Sequence, residues 1–289
     1  MNQQSADDLA ALESHHFSVW NLTVDGDPFR TRYAHLRPVR RDGAPAMLKI
    51  VPAGSEEADG AATLEYFGGI GAVRLLEDDV QAQLMERASS GRSLTDMVRR
   101  GEDDEATRIL CAVAAQLHGP RTNLRPPTLV PLERRFRSLF ELADKPSGAP
   151  PALASPLPDA AQIARDLLAR PGDETVLHGD VHHANVLVDK TRGWLAIDPK
   201  GLFGERAYDY ANILCNPDIE DVARSLERLM RQAKIIAKAA NLDLRRLLAF
   251  TFVHAVLSAA WSLEDGEDPS RAIDIAVILR SQSVNLGAL

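Results

Sequence analysis

The chain has 289 residues, 45% hydrophobic and 26% charged, which excludes disorder throughout, a collagen-like repeat and a coiled-coil rod, and suits one large domain or two lobes. Its 33 Lys and Arg stand against 41 Asp and Glu, a net charge of −8. Sequence-independent nucleic-acid binding is therefore a poor electrostatic match, and a cationic small molecule is a better one. Two cysteines, Cys111 and Cys215, make neither a disulfide framework nor a Cys-rich metal site, so a reducing, cytoplasmic location is expected. The polar, acidic start lacks the pattern of a secretory leader, and the most apolar stretch, Leu247 to Trp261, is interrupted by His254 and Ser258. No membrane association is expected.

In chain order, the first third reads as short strands at Tyr33 to Val39, Ala46 to Val51, Val73 to Glu77 and Val80 to Met85, with one helical insert from Glu56 to Phe67. Beyond residue 87 the spacing turns helical at Asp103 to His118, Leu132 to Ala143, Ala160 to Ala169, Ile219 to Ala240, Leu244 to Ser262 and Arg271 to Arg280. Lys145 to Pro158 holds five prolines and reads as a surface loop or linker. Strand signals interrupt the helices at Thr175 to Leu177, paired with Asn185 to Asp189, and then at Trp194 to Ile197. The class is α+β, with a small antiparallel-sheet lobe carrying one helix at 1–86 and a larger, mostly helical lobe at 87–289.

The chemistry-bearing residues concentrate around those late strands. The run His178-Gly-Asp180-Val-His182-His183-Ala-Asn185 admits two readings. One is a metal-ligand cluster, since imidazole and carboxylate suit Zn or Fe. The other takes in Asp198, which follows the strand Trp194 to Ile197. An Asp, an Asn five residues on and a second Asp at a strand end suit phosphoryl transfer, where oxygen donors hold Mg²⁺ against nucleotide phosphates and a carboxylate receives the acceptor's proton.

Phosphoryl transfer also requires a cation on the nucleotide, and Lys49 is the lone charge in the apolar strand Ala46 to Val51. Its expected partner is a carboxylate opening the next helix, Glu56 or Glu57. Gln83 to Ala88 marks the change from strand to helix spacing and is the expected hinge, where backbone groups of Glu86 and Ala88 would read an adenine.

The run from His178 to Pro217 resembles the catalytic segment of the aminoglycoside/hydroxyurea phosphotransferase family, which includes streptomycin 6-phosphotransferases and has a bilobal protein-kinase-like fold. Weaker patches of resemblance include Met47 to Lys49, Leu84 to Arg87 and Trp261 to Gly266. The resemblance implies ATP or GTP as donor and Mg²⁺ as cofactor. It implies Asp180 as the catalytic base, Asn185 and Asp198 as metal ligands, Lys49 on the phosphates, and Asp209 and His178 as supports of the catalytic loop.

The sequence departs from the family pattern in four places. Gly26 to Leu36, the expected phosphate-covering hairpin, is poor in glycine at its tip, with Arg30 and Arg32 there instead. Gly60 stands where related kinases often carry the helix glutamate. Ala184 replaces a glycine before Asn185, and Arg206 replaces a proline. The acceptor is expected to be a cationic aminoglycoside such as streptomycin, met by Trp261, Glu264 and Asp265 near a helix end. Hydroxyurea or another metabolite as acceptor, a non-catalytic nucleotide-binding role, and a monomeric or homodimeric state all stay open.

Overall fold

The strand-rich third of the chain closes into one antiparallel sheet. The computed structural model describes residues 6–31, 34–51, 60–88, 91–122, 125–126, 128–145, 148–219, 222 and 224–282. Strands β1 (Leu22–Val24), β2 (Phe29–Arg30), β3 (His35–Arg41), β4 (Ala44–Ile50), β5 (Leu75–Asp79) and β6 (Ala82–Glu86) form a six-stranded sheet ordered β1-β3-β4-β6-β5, with β2 paired to β3. Helix α1 (Ala6–Val19) lays Leu9, Leu12 and Phe17 on a core of Trp20, Leu22, Val39, Ala46, Leu48, Ile50, Ala82 and Leu84. Side chains alternate along a strand, so burying Leu48 and Ile50 under α1 turns Lys49 to the opposite face of β4. Helix α2 (Gly60–Phe67) buries Leu64 and Phe67 in the second, larger core.

That larger core is helical. Helices α3 (Leu94–Arg99) and α4 (Asp103–Leu117) lead to the short β7 (Val130–Pro131), then α5 (Leu132–Arg135), α6 (Arg137–Asp144) and α7 (Pro156–Ala169). Strands β8 (Glu174–Leu177), β9 (Val186–Asp189), β10 (Gly193–Ala196) and β11 (Leu202–Glu205) follow, and α8 (Ala207–Leu214), α9 (Leu226–Ala240), α10 (Leu244–Glu264) and α11 (Ser270–Gln282) complete the chain described. Helix α10 runs through the centre, packed by α6, α7, α8, α9 and α11. By length and composition alone it could cross a membrane, yet 72% of its most apolar window is buried inside the protein.

Several sequence expectations are corrected. The strand Thr175 to Leu177 pairs with β11, Leu202↔Leu177 in register, while β9 pairs with β10. The helix expected over Leu132 to Ala143 breaks at fully buried Phe136, whose backbone (φ −86°, ψ 5°) separates α5 from α6. Helix α9 starts at Leu226 rather than Ile219, because the Ser225 side chain caps it by accepting from Arg228 N at 3.3 Å. The proline-rich stretch is only partly loop: Pro156 opens α7, where a proline's missing N–H costs nothing. Helices α1, α3 and α8 and strands β7 and β11 are short or polar and left no periodic signal strong enough to read.

Buried polar contacts tie the helices together. Arg228 of α9 donates from Nε and Nη2 to the two Asp103 oxygens of α4 at 2.8 and 2.9 Å, and Gln232 Nε2 adds a bond to Asp103 Oδ2 at 2.8 Å. Both charged side chains are under a tenth exposed, so removing one charge strands the other. Asp103→Asn is expected to cost about 3–5 kcal/mol and to lower the melting temperature by roughly 5–15 °C, read by differential scanning calorimetry. A melting temperature within 2 °C of the parent, roughly the effect of under 1 kcal/mol, would contradict this account of the α4–α9 contact.

Candidate active site

The polar loop 178–185 is suspended between buried ends: Val176 and Leu177 of β8 before it, and Val186 of β9 after it. Its backbone is fixed by neighbours on each side. Ile197 N donates to Asn185 O at 2.9 Å and Lys200 N to His178 O at 2.7 Å, so the segment leaving β10 is laid against the loop. Gly179 has φ +81°, and a Cβ there would stand 2.6 Å from Leu202 Cδ1, which fits glycine alone. Asp198 also adopts a left-handed backbone, φ +60°, uncommon for a non-glycine residue and held here by the contacts of its side chain.

One fully buried carboxylate organises the loop backbone. Asp209, in the first turn of α8, accepts from His178 N at 3.0 Å, Gly179 N at 2.6 Å and His118 Nε2 at 2.8 Å. His118, at the C-terminal end of α4, was not singled out in the sequence, where it stands 91 residues from its partner. His178 spends both ring nitrogens on backbone: Nε2–H donates to Ile197 O at 2.9 Å, and Nδ1 accepts from Asp180 N at 3.2 Å. Burial pushes its imidazole pKa down, against the pull of Asp209, Asp180 and Asp198.

Three of the expected site residues converge here. Asp180 Oδ2 accepts from Asn185 Nδ2 at 2.9 Å, and Asp180 Oδ1 accepts from Asn212 Nδ2 at 2.8 Å. Burial works to raise the Asp180 pKa, and the influence of His182 first, then of Lys200 and His178, outweighs it, so the carboxyl lies well below the usual carboxylate range. Asp198 carries its carboxylate between two lysines: Lys49 Nζ bonds Oδ1, and Lys200 Nζ bonds Oδ2 at 3.0 Å. The Asp198 pKa is also lowered: burial opposes ionisation, and Lys200 and Lys49 overcome it.

Lys49 thus meets Asp198 across the cleft. The expected partners Glu56 and Glu57 lie outside the described residues, as does Arg32. Gly60 explains why the start of α2 bears no glutamate: a Cβ at this position would stand 2.6 Å from Pro199 O, so the helix approaches the Asp198 segment too closely for any side chain.

The expected hinge is tied to the late hairpin. Glu86, the last residue of β6, binds Arg192 of the β9–β10 turn through Oε2, and the Glu86 backbone N–H donates to Arg74 O at 2.9 Å. Arg192 also donates to Gly69 O, and to Ala72 O at 3.1 Å. Ala88 is buried beside it in the larger core. Arg192 was not foreseen, because its partners lie more than 100 residues away in the chain.

Toward the end of α10, where the acceptor contacts were expected, His254 meets Tyr208 OH through Nδ1 at 3.3 Å and stacks edge-on against Trp261 at 6.0 Å between centroids. One face of Trp261 is already taken, with the Arg135 guanidinium 4.1 Å from the ring centroid. Glu264 and Asp265 are exposed at the end of α10, and Glu264 Oε2 accepts from Ser138 Oγ at 3.0 Å. The alternative reading of the histidines as a metal centre is not supported. His178 uses both nitrogens on backbone, and among the described residues the ligand atoms that gather are those of His15, His16 and Asp79.

The residues fit a Mg²⁺ ion by the chemistry of their donors. Asn185 turns its amide nitrogen to Asp180 O and Oδ2, which leaves the amide oxygen as its coordinating atom, and Asp198 offers carboxylate oxygens. Mg²⁺ takes such oxygen ligands.

Residues 19–266 match the family described as aminoglycoside/hydroxyurea antibiotic resistance kinase. The chain is 44% identical over 264 residues to a streptomycin 3''-kinase of Klebsiella pneumoniae, covering 89% of this chain and 96% of that protein. It is 30% identical over 296 residues to a streptomycin 6-kinase of Streptomyces glaucescens, covering 96% and 89%. In fold it is similar to the crystal structure of the aminoglycoside phosphotransferase APH(4)-Ia, with a TM-score of 0.66 at 16% identity and coverage of 97% of this chain and 100% of that one. The bilobal, protein-kinase-like α+β fold expected from the sequence is borne out.

Two neutral histidines under this site make the fold acid-sensitive. Burial, aided by Arg135, brings the His254 pKa down to about 4; burial, aided by Arg228 and His182, brings that of His183 down to about 3. The unfolded chain takes up protons below about 6.5 that the folded chain refuses, so this contribution is complete above 6.5 and is lost as pH falls toward 4. At full development it is on the order of 3 kcal/mol per histidine. Melting temperatures measured from pH 7.5 to 4.5 should fall steadily below 6.5, with a shallower slope for His254→Phe. A flat profile over that window would show these imidazoles to be protonated in the fold.

Proposed function

The chain belongs to the aminoglycoside/hydroxyurea antibiotic resistance kinase family, and from that premise we propose that it transfers the γ-phosphate of ATP to a hydroxyl of streptomycin, with Mg²⁺ bound at Asn185 and Asp198. The observation that carries this reading is the meeting of Asp180, Asn185 and Asp198 in one cleft with Lys49 from the sheet lobe. The 3''-hydroxyl is the leading acceptor, because similarity to the 3''-kinase exceeds that to the 6-kinase.

Asp180 receives the acceptor hydroxyl's proton or orients that hydroxyl in line with the phosphorus, a contribution of about 10² to 10⁴ in rate. Its low pKa keeps it ionised at neutral pH, ready to accept a hydrogen bond. Mg²⁺ held by Asn185 and Asp198 would supply positive charge to offset the negative charge that spreads over the phosphate oxygens during transfer. Lys49 and Lys200, both beside Asp198, bring cations to the phosphates, and Lys49 reaches them from β4. Backbone groups of Glu86 and Ala88 take the adenine at the hinge joining lobes 1–86 and 87–289. Glu264 and Asp265 meet the acceptor's cationic groups. Because Arg135 covers one face of Trp261, a cationic substrate meets only the other.

The test is a phosphotransfer assay with Mg²⁺, ATP or GTP, and streptomycin, other aminoglycosides or hydroxyurea, the product located by phosphorus–proton correlation NMR. Phosphate on the 3''-oxygen of streptomycin is expected; phosphate on the 6-oxygen would reassign the acceptor hydroxyl, and turnover with hydroxyurea alone would reject an aminoglycoside acceptor. Asp180→Asn should retain nucleotide binding by isothermal calorimetry and lose about 10²-fold or more of kcat. Unaltered turnover in that variant would remove Asp180 from the mechanism.

A further inference from the structure

Helix α8 holds the catalytic loop at two points. Asp209 binds the loop backbone at His178 and Gly179, and Asn212, three residues on and therefore on the same helix face, binds the Asp180 side chain. We propose that Asn212 is a positioning residue for phosphoryl transfer, setting the rotation of the Asp180 carboxylate through a hydrogen-bonded chain anchored on the buried Arg228–Asp103 ion pair. The proposal rests on the reading of Asp180 as the group that meets the acceptor hydroxyl.

The chain can be followed atom by atom. Asn212 Nδ2 donates to Asp180 Oδ1 at 2.8 Å. Asn216 Nδ2 donates at 3.0 Å to Asn212 Oδ1 and at 3.0 Å to Asn212 O. That second amide therefore sets which end of the Asn212 side chain faces Asp180: the oxygen is committed to Asn216, and the nitrogen must point to the carboxylate. Asn216 O in turn accepts from Arg228 Nη2 at 3.0 Å, and Arg228 is locked on Asp103 by two bonds. Asn212 and Arg228 are both buried, so none of these bonds competes freely with water.

The arrangement on Asp180 shows what such a chain achieves. A carboxylate offers about four lone-pair directions. Asn185 takes one on Oδ2 and Asn212 one on Oδ1, from opposite ends of the group. His182 Nε2, at 3.6 Å from Oδ1, is too distant to substitute for Asn212 as a hydrogen-bond donor. Its Nδ1 accepts from Ala184 N at 3.2 Å, so the ring is held to its own loop. With Asn185 alone, the carboxylate could rotate about its Cβ–Cγ bond. With Asn212 added, both oxygens are fixed and one direction on each is directed to the acceptor hydroxyl. A misplacement of about 1 Å in such a group costs on the order of 10²-fold in rate.

The test is a double-mutant cycle in steady-state phosphotransfer to streptomycin. Asn212→Leu removes both the donor to Asp180 and the acceptor for Asn216, and Asn212→Asp keeps the shape and an oxygen for Asn216 but sets a second carboxylate against Asp180 in place of the donor. Each is expected to lower kcat by 10-fold or more while the KM values for ATP and streptomycin stay within twofold, with melting temperature as the check on folding. In the Asp180→Asn background the same substitutions are expected to lower kcat no further, because the group they position is gone. Equal losses in both backgrounds, or a loss confined to KM and melting temperature, would assign Asn212 a purely structural role and overturn the proposal. Full turnover by Asp180→Asn alone would overturn the reading beneath it, and the proposal with it.

Discussion

Everything at this site depends on keeping a glycine-containing loop in one conformation, and a single dry carboxylate does so. Asp209 is fully buried and accepts three hydrogen bonds, two from loop amides and one from His118. A carboxyl group in such a place is tolerable only because its oxygens are satisfied by strong donors. The consequence is geometric: with the His178 and Gly179 amides fixed, Asp180 and Asn185 emerge at set points on either side of the turn. Helix α8 is therefore less a packing element than a clamp, carrying Asp209 and Asn212 one turn apart against α4 and α10.

The two lobes meet through charge and close backbone approach. Lys49 crosses from β4 to Asp198, Arg192 crosses from the β9–β10 turn to Glu86 and the carbonyls near Gly69 and Ala72, and Gly60 brings α2 against Pro199. These contacts explain the unusual backbone of Asp198, since its side chain is held by lysines from both directions. In the helical lobe, Tyr208, His254, Trp261 and Arg135 are stacked together.

Much of this was legible in the sequence, for physical reasons that differ by residue. Asp180, Asn185 and Asp198 lie within 19 positions of one another, flanking the consecutive short strands β9 and β10, so local spacing brings them together. Lys49 is legible as the one charge in an apolar strand. His118, Asn212 and Arg192 were not, because each acts on a partner brought near only by tertiary packing, and each looks ordinary among its neighbours. The pairing of β8 with β11 escaped for the same reason: Leu202 to Glu205 is four residues long and holds a glycine, giving no strand signal. The helix glutamate expected at Glu56 or Glu57 lies outside the described residues, and at Gly60, where related kinases often carry it, the close contact with Pro199 excludes a side chain.

Net negative charge and the acids at the end of α10 fit a cationic acceptor, and the family to which the chain belongs contains kinases of such molecules. The central claim is that Asp180, Asn185 and Asp198 act on one nucleotide-bound phosphate in this cleft. The most direct measurement is a crystal structure with a non-hydrolysable ATP analogue, Mg²⁺ and streptomycin. The account predicts Mg²⁺ bonded to oxygens of Asn185 and Asp198, Lys49 on the phosphates, and a streptomycin hydroxyl within about 3 Å of an Asp180 oxygen. Metal bound away from Asn185 and Asp198, or a streptomycin with no hydroxyl near Asp180, would contradict it.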